Sequence, residues 1–226
     1  STSNVLVEAL TFNKYFLNQF LKPFGVNIAK SILLRKGEET KYSADEIAEK
    51  LGMPCFVKPC ADGSSFGVTK VKTKADLTPA IADSMKLGKE TMIESFMAGT
   101  EITCGCYKTK KVCRVFPITE VVTSDEFFDY NAKYNGAVQE ITPARISEET
   151  AKRVGELTSR IYDILGCNGI IRIDYILSGE KGKEDINLLE INTTPGMTAT
   201  SFIPQQVKAA GLNMSDVLSE IIENNF

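Results

Sequence analysis

Histidine is absent from the 226 residues. Without it, Ser-His-Asp and Cys-His catalysis are excluded, and so is general base catalysis by an imidazole. The six cysteines contain no Cys-x-x-Cys spacing, so zinc-finger patterns are excluded and we expect no zinc site. The remaining reactive groups are lysines, arginines, carboxylates, hydroxyls and bound metal. This set suits phosphoryl transfer, in which positioning and charge neutralisation do most of the work.

The chain also lacks a basic excess and a long apolar run. Its net charge is −3, which argues against a general nucleic-acid binder. No stretch approaches membrane-spanning length, and the first residues do not resemble a signal peptide. With 43% hydrophobic and 24% charged residues, the composition is that of a globular protein holding one large domain or two small ones. We therefore expect a cytoplasmic protein with reduced thiols, without nucleic-acid or membrane partners.

An apolar strand is predicted at 188–192, just before the turn at Pro195 and Gly196. Side chains alternate along a strand, so Leu189 and Ile191 share one face while Glu190 and Asn192 share the other. A carboxylate and an amide oxygen are ligands that Mg²⁺ prefers, usually together with substrate phosphates. Taken alone, Glu-x-Asn is more typical of a strand end with solvated polar residues.

A second predicted strand at 170–177 favours the metal-ligand interpretation over the solvated strand end, because it puts Arg172 and Asp174 on a common face. The polar turn at 178–185 could join the two strands as a hairpin. The four polar side chains would then meet in one patch. That patch is a candidate metal–phosphate site.

The earlier half of the chain carries candidate phosphate contacts. The loop at 62–68 contains two glycines and two hydroxyls, Ser64 and Ser65, and its N–H groups could cradle phosphate oxygens. It is not a Walker A loop, and such a loop between strands is most often only a turn. Lys58, on the preceding strand, could reach the same phosphates. Lys14 by itself would be a solvated lysine of a helix.

Periodicity and capping signals place the remaining elements. Helices are predicted at 4–24, 44–51, 73–87, 147–165, 204–211 and 215–224, and strands at 28–34, 55–59, 90–94, 101–107 and 112–122. The segment 123–142 lacks periodicity and carries four aromatics and Lys133, so a lid and a locally packed surface loop are equally favoured. A boundary near 96–99 would separate two lobes, 1–97 and 98–226.

The motifs occur in a recognisable order, namely Val57-Lys58-Pro59, Asp62–Gly67, Glu94 with Gly99-Thr100-Glu101, Asp129–Tyr134, Arg172-Ile173-Asp174 and Leu189–Met197. In this order and spacing the chain resembles the D-alanine–D-alanine ligases of the ATP-grasp superfamily, over essentially its whole length. The resemblance implies an α+β ATP-grasp fold, in which two lobes with antiparallel sheets grip ATP between them.

The resemblance also implies three sets of site residues, with adenine on the main chain near Phe96 and Met97 and the ribose on Glu101. The catalytic set is Arg172, Ser64, Tyr134 and Gly196. The nucleotide and substrate set is Lys14, Lys58, Ser65, Glu94, Phe96, Met97, Glu101, Lys133 and Ser201. The metal set is Asp174, Glu190 and Asn192, expected to hold two Mg²⁺ ions, with Mn²⁺ as a substitute.

The implied activity is ATP-dependent joining of two D-alanines through an acyl phosphate, for peptidoglycan precursor synthesis. Tyr134 favours D-alanine as second substrate. The chain starts almost at the lysine-bearing helix, so we expect a fragment with reduced activity; the full-length protein is expected to be a homodimer. Asn13 and the segment Ser95–Ala98 depart from the usual family pattern. The alternatives are a non-catalytic nucleotide-binding module and a D-alanine–D-lactate or D-alanine–D-serine ligase.

Overall fold

The computed structural model describes residues 2–61, 63, 66–123, 138–224 and 226. The helices in these ranges are α1 (Val5–Phe12), α2 (Lys14–Leu21), α3 (Ala44–Leu51), α4 (Leu77–Leu87), α5 (Glu148–Leu165), α6 (Phe202–Ala209) and α7 (Met214–Glu223). The strands are β1 (Asn27–Ile28), β2 (Ser31–Arg35), β3 (Cys55–Pro59), β4 (Thr69–Val71), β5 (Glu90–Ser95), β6 (Thr100–Lys108), β7 (Cys113–Val115), β8 (Thr119–Thr123), β9 (Val138–Ile141), β10 (Ile171–Ser178) and β11 (Asp185–Asn192). No helix in the described ranges is both long and apolar enough to cross a membrane.

The described chain divides into two compact units. One comprises Ser1–Thr11, Gly99–Val122 and Gln139–Phe226, and the other contains Phe12–Ala98. We call the first the carboxylate unit, because it carries Asp174 and Glu190, and the second the lysine unit, because it carries Lys14 and Lys58. A border between the units falls at Ala98 and Gly99, but most of α1 groups with the carboxylate unit. The assignment of 1–97 and 98–226 to two lobes stays a prediction.

The lysine unit is built on an antiparallel sheet of order β2-β5-β3-β4. Helices α3 and α4 supply Ile47, Leu51 and Ile81 to a core that includes Cys55 and Val57 of β3. Because side chains alternate along a strand, Phe56 and Lys58 lie on the sheet face away from this core. The sheet therefore presents one apolar face to its helices and one face that can carry charged groups.

The carboxylate unit is built on a sheet in which β11, β10, β6, β8 and β9 follow one another and β7 also pairs with β6. Helix α5 lies against one face, where Thr158 and Tyr175 are fully buried and their hydroxyls are 2.8 Å apart. Helices α6 and α7 contribute to a core on the other face that includes Tyr107 of β6. Since Tyr107 and Thr103 have the same parity on β6, Thr103 faces α6 as well.

Local signals placed several element ends correctly. Ser43 and Glu46 form the predicted capping box, with the Ser43 N–H donating to Glu46 Oε2 at 2.8 Å. Ser147 caps α5 by accepting from Thr150 N–H at 3.0 Å, and Gly166 ends it with φ +65°. The predicted hairpin of β10 and β11 is confirmed.

Two predicted elements are interrupted. The helix expected at 4–24 breaks at Asn13, which is extended (φ −93°, ψ 101°) and accepts a hydrogen bond from Phe16 N–H at 3.1 Å. Asparagine is a strong N-cap, so it begins a new helix where periodicity alone continues the old one. The strand expected at 112–122 is split into β7 and β8 around Pro117, which cannot donate to a ladder.

Candidate functional site

The pairing of β10 with β11 brings the predicted carboxylate patch together. Asp174 lies directly opposite Glu190, and Arg172 lies directly opposite Asn192. Directly opposed residues of an antiparallel pair point to the same face, and residues two apart on one strand share a face. All four side chains are therefore neighbours on one face of the hairpin, as the sequence predicts.

A β-bulge in β11 sets which residues face this patch. The register shifts between Asp174 and Tyr175, so that Tyr175 is opposite Leu188 while Asp174 is opposite Glu190. Leu189 is the extra residue and is half-buried, whereas Leu188 is 1% exposed. Leu188 therefore occupies the buried face before the bulge and Ile191 occupies it after the bulge, so the plain alternation predicted for this strand does not continue through Leu189.

The Asp174 carboxylate accepts hydrogen bonds on both of its oxygens. Oδ1 accepts from Thr103 Oγ1 at 2.5 Å and from Arg172 Nε at 2.9 Å. Oδ2 accepts from Arg172 Nη2 at 2.8 Å and from Asn192 Nδ2 at 3.2 Å. Asp174 is only 7% exposed, so these contacts replace the water that an ionised carboxylate requires.

Arg172 is held as a cation in this patch. Burial acts to lower its pKa, but the charge and hydrogen bonds of Asp174, together with the charges of Glu190 and Glu101, raise its pKa above the ordinary value. The guanidinium also lies 5.1 Å from the ring centre of Phe202. The patch therefore holds one fixed positive group among several acids, which suits an anionic oxygen placed next to bound cations.

The donor set fits a hard divalent cation. Asp174 and Glu190 offer carboxylate oxygens on neighbouring strands. The Asn192 amide nitrogen donates to Asp174, so the Asn192 amide oxygen is a further oxygen ligand for the cation. Within the described residues there is no cluster of three or more His, Cys, Asp and Glu side chains suited to a metal. Two carboxylates and an amide are instead a set that Mg²⁺ completes with water and substrate phosphates.

The loop after β11 brings Gly196 against Ser201. A Cβ at Gly196 would lie 2.9 Å from Ser201 Oγ, so a larger residue at this position would have to displace the hydroxyl. Ser201 stands at the N-cap of α6, where its Oγ accepts from Thr198 N–H at 3.2 Å. Glu101 lies on β6 opposite Ile176, so it shares the face of Asp174 two residue pairs along the ladder.

In the lysine unit, Lys58 of β3 forms a buried ion pair with Glu94 of β5. The two residues are diagonal neighbours, because Lys58 is opposite Met92 and Glu94 is opposite Phe56. Their side chains are 7% and 6% exposed. A buried ammonium requires a partner of opposite charge, and Glu94 supplies that counter-charge on the sheet face away from the helices.

Lys14 lies near the end of the same strand. Its N–H donates to the Cys60 carbonyl at 2.9 Å, and Asn13 forms a bridge with Ala61. Burial raises the pKa of Cys60 to about 12, while the charges of Lys14 and Lys58 act in the opposite direction. Both lysines therefore lie close to Cys60, just before the Gly-Ser loop.

The residues after β5 offer an aromatic surface. The centre of the Phe96 ring lies 6.0 Å from that of the Phe56 ring, and Lys70 Nζ lies 4.5 Å from the centre of the Phe96 ring. Phe96 is 37% exposed and Met97 is half-buried. The predicted adenine contact thus falls on a backbone segment flanked by partly exposed apolar groups.

Four predicted site residues lie outside the described residues: Ser64, Ser65, Lys133 and Tyr134. The same holds for most of the predicted lid, at 124–137. The end of the Gly-Ser loop is described at Gly67, whose φ is +69° and whose added Cβ would lie 2.4 Å from Leu87 Cδ1. Glycine is therefore required where this loop returns to the sheet.

Two residues near the patch were not found from sequence. Thr103 donates to Asp174, and Gln206 is fully buried between β6 and α6, where it contacts the backbone at both Thr103 and Gly105. The only sequence signal for Thr103 is its spacing of two from Glu101 on a predicted strand. Nothing local to Gln206 indicates its role.

Comparisons with known proteins agree on one family. The sequence profile described as "D-ala D-ala ligase C-terminus" matches residues 20–223. The D-alanine–D-alanine ligase of Phocaeicola vulgatus is 65% identical over 100% of this chain and 68% of its own length. The corresponding ligase of Bacteroides fragilis is 63% identical over the same shares.

Solved structures give the same result. The VanG D-Ala:D-Ser ligase of Enterococcus faecalis superposes with a TM-score of 0.86 at 32% identity, over 99% of this chain and 64% of that one. The D-alanine–D-alanine ligase of Bacillus anthracis complexed with ATP superposes with a TM-score of 0.82 at 28% identity, over 99% of this chain and 69% of that one. The chain therefore belongs to the D-alanine–D-alanine ligase family, whose members are ATP-dependent ligases with the ATP-grasp fold.

Proposed function

We propose that this chain binds ATP with Mg²⁺ and takes part in joining two D-alanines for peptidoglycan precursor synthesis. The observation that carries the proposal is the patch on the β10–β11 hairpin, where Asp174, Glu190 and Asn192 offer oxygen ligands beside the Arg172 guanidinium. The chain spans about two thirds of the length of the relatives it matches, 68% of the Phocaeicola ligase and 64% of VanG.

In this proposal the three oxygen donors of the patch hold Mg²⁺. Bound divalent ions supply neutralisation of the phosphate charge. Arg172 exchanges its contacts with Asp174 for oxygens of the transferred phosphoryl group, which supports the charge that develops there. A guanidinium stays protonated throughout the working pH range, so Arg172 remains a cation after this exchange.

The lysine unit contributes contacts to the nucleotide. Lys58, which is paired with Glu94, and Lys14 at the start of α2 donate to phosphate oxygens. The backbone at Phe96 and Met97 pairs with adenine, and Glu101 of the carboxylate unit accepts from the ribose hydroxyls. Ser64, Ser65 and Lys133 are assigned to phosphate or substrate by the sequence resemblance alone.

The reaction proceeds in two displacements. A carboxylate oxygen of the first D-alanine attacks the γ-phosphorus, the bond to the β-phosphate oxygen breaks, and ADP leaves. The amine of the second D-alanine then attacks the acyl carbon, loses a proton and expels phosphate. We assign Arg172, Gly196 and Ser201 to the acyl phosphate and the tetrahedral stage that follows it. Ser201 is also assigned to the second carboxylate, and Tyr134 to selection of D-alanine over other acceptors.

The direct test is ATP titration by calorimetry with and without Mg²⁺, using wild type and Glu190→Gln. We expect Mg²⁺ to strengthen ATP binding to wild type and to have little effect on Glu190→Gln, since an amide cannot replace the carboxylate charge. Glu156→Gln is the matched control, because Glu156 lies exposed on α5. An unchanged Mg²⁺ effect in Glu190→Gln would refute the metal assignment.

Phosphate release and product analysis separate the alternatives. A non-catalytic module would bind Mg–ATP but release no phosphate when D-alanine is added. Mixtures of D-alanine with D-serine or D-lactate identify the acceptor from the mass of the product. A homodimer is also proposed, and sedimentation in an analytical ultracentrifuge tests it.

A further inference from the structure

Among the described residues, the Asp174 carboxylate has one hydrogen-bond donor outside the sets assigned to metal, nucleotide and catalysis. That donor is Thr103, which lies on β6 directly opposite Asp174 and donates to Oδ1 at 2.5 Å. Thr103 is 1% exposed, and 71 residues of sequence separate the two. Both groups are shielded from bulk solvent, so the contact is a charge-assisted hydrogen bond between buried groups.

Hydrogen bonds from Gln206 of α6 hold the backbone that carries Thr103. Gln206 Nε2 donates to the Thr103 carbonyl at 3.0 Å, and its Oε1 accepts from Gly105 N–H at 2.9 Å. Gln206 Nε2 also donates to Thr119 Oγ1 at 3.1 Å. A Cβ at Gly105 would lie 2.7 Å from Gln206 Oε1, so glycine permits this close packing. The Thr103 hydroxyl is therefore presented from a strand that a fully satisfied buried amide holds in place.

The other donors to Asp174 have separate tasks in the proposed function. Asn192 contacts Oδ2 with its amide, and Arg172 contacts both oxygens, but the proposal gives Asn192 to the cation and Arg172 to the phosphoryl group. When Arg172 turns to the phosphoryl group, Asn192 contacts only Oδ2, and the contact of Thr103 with Oδ1 remains among the described residues. A carboxylate held on one oxygen cannot rotate freely about χ2, which is otherwise a soft torsion.

We infer that Thr103 is a positioning residue: its hydroxyl holds Oδ1 of Asp174 and so orients Oδ2 as the oxygen offered to the divalent cation. This inference rests on the proposed function. Partners of metal-ligating side chains typically change metal affinity by about 10- to 100-fold when they are removed. Thr103 touches neither nucleotide nor amino acid in this scheme, so its effect should appear in cation binding.

The experiment is a Mn²⁺ titration with the protein in excess over ATP, in which free Mn²⁺ is measured by electron paramagnetic resonance and the Mn²⁺ bound by ATP alone is subtracted. Thr103→Val replaces the hydroxyl by a methyl group of similar size, and we expect Mn²⁺ to bind about 10-fold more weakly or worse. ATP affinity without metal should stay within about twofold of wild type. Thr103→Ser keeps the hydroxyl and should restore most of the Mn²⁺ affinity.

Thr158→Val is the matched control, because Thr158 is also a fully buried threonine bonded to β10, through Tyr175 on the opposite face of the sheet. It should lose stability comparably and leave Mn²⁺ affinity unchanged. If Thr103→Val does not fold, Thr103→Ser is compared with Thr103→Ala, because these two variants differ only in the hydroxyl. The Mn²⁺ affinity of Thr103→Ser must then exceed that of Thr103→Ala.

The outcomes separate the inference from the proposed function. Wild type that binds Mn²⁺ with ATP, alongside Thr103→Val of equal Mn²⁺ affinity, overturns the positioning role and leaves the proposed function standing. Equal losses in Thr103→Val and Thr158→Val also overturn it, because the effect is then general loss of packing. Wild type that binds no Mn²⁺ in the presence of ATP overturns the proposed function, and the inference with it.

Discussion

The buried ion pair of Lys58 and Glu94 gives a prediction with a large expected magnitude. Replacing Glu94 by glutamine keeps the size and removes the negative charge. Lys58 then remains as an ammonium whose side chain is 7% exposed and whose counter-charge is gone. Breaking a buried pair from one side typically costs about 3–5 kcal/mol of unfolding free energy.

An exposed pair in the same unit supplies the comparison. Lys86 and Asp83 are 2.6 Å apart on α4, with side chains 74% and 70% exposed. Exposed pairs of this kind contribute about 0–1 kcal/mol, because water and salt screen them. Asp83→Asn should therefore cost at most about 1 kcal/mol, roughly a third of the lowest value expected for Glu94→Gln.

The double variant Lys58→Met with Glu94→Leu separates burial of charge from packing. Replacing both ions by apolar side chains removes the uncompensated charge, so its stability should return close to wild type or exceed it. ATP affinity should not return, because the proposed phosphate contact of Lys58 is lost. Recovered stability together with lost ATP affinity in the double variant would show that the Lys58 charge serves ATP binding and not the stability of the fold.

Urea unfolding followed by circular dichroism measures these differences as shifts of midpoint at constant slope. In a thermal scan, about 3–5 kcal/mol corresponds to a decrease of roughly 6–20 °C in Tm for a chain of this size. A Glu94→Gln variant that loses no more stability than Asp83→Asn would refute the reasoning. So would a double variant that is no more stable than Glu94→Gln.

Two further predictions concern thiols and acid. Burial raises the pKa of Cys104 to about 12, whereas Cys113 is exposed. A disulfide reagent at about pH 8 should therefore modify Cys113 rapidly and the four buried cysteines only after unfolding, because thiolate is the reacting form. Rapid modification of Cys104 in the folded chain would contradict this prediction. The Arg145 guanidinium lowers the pKa of Glu120 below its ordinary 4.5, so this pair stabilises the fold above that pH, and its contribution is lost as pH falls through the lower folded pKa. Arg145→Gln should reduce the stability at neutral pH, and its urea midpoint should fall less than that of wild type between about pH 5 and pH 2. A pH dependence of the midpoint equal to that of wild type would refute the assignment.

The parts of the fold that local chemistry specifies could be predicted from sequence. Ser43 and Ser147 begin helices because their hydroxyls satisfy free N–H groups, and Gly166 ends one because it adopts a positive φ. The alternation of β10 and β11 was enough to bring Asp174 and Glu190 onto one face. Asn13 was missed, since helical periodicity continues through it and hides the cap.

The rest depends on contacts between distant parts of the chain. Thr103 meets Asp174 across 71 residues of sequence, and Gln206 meets Thr103 across 103. No spacing rule connects such residues until the order of strands in the sheet is known. The diagonal pairing of Lys58 with Glu94 likewise depends on the register of β3 with β5. Sequence therefore predicted the groups that offer oxygen or charge, but not the neighbours that hold them.

The single additional residue in β11 has a consequence for how this strand tolerates change. Leu188 and Glu190 are both even-numbered, yet the first points into the core and the second toward the acids of the patch. If the strand kept its length but paired regularly, Leu188 and Glu190 would fall on one face, so that the core leucine and the carboxylate could no longer both be correctly directed. The bulge is thus under the same constraint as the identity of the acids on this strand.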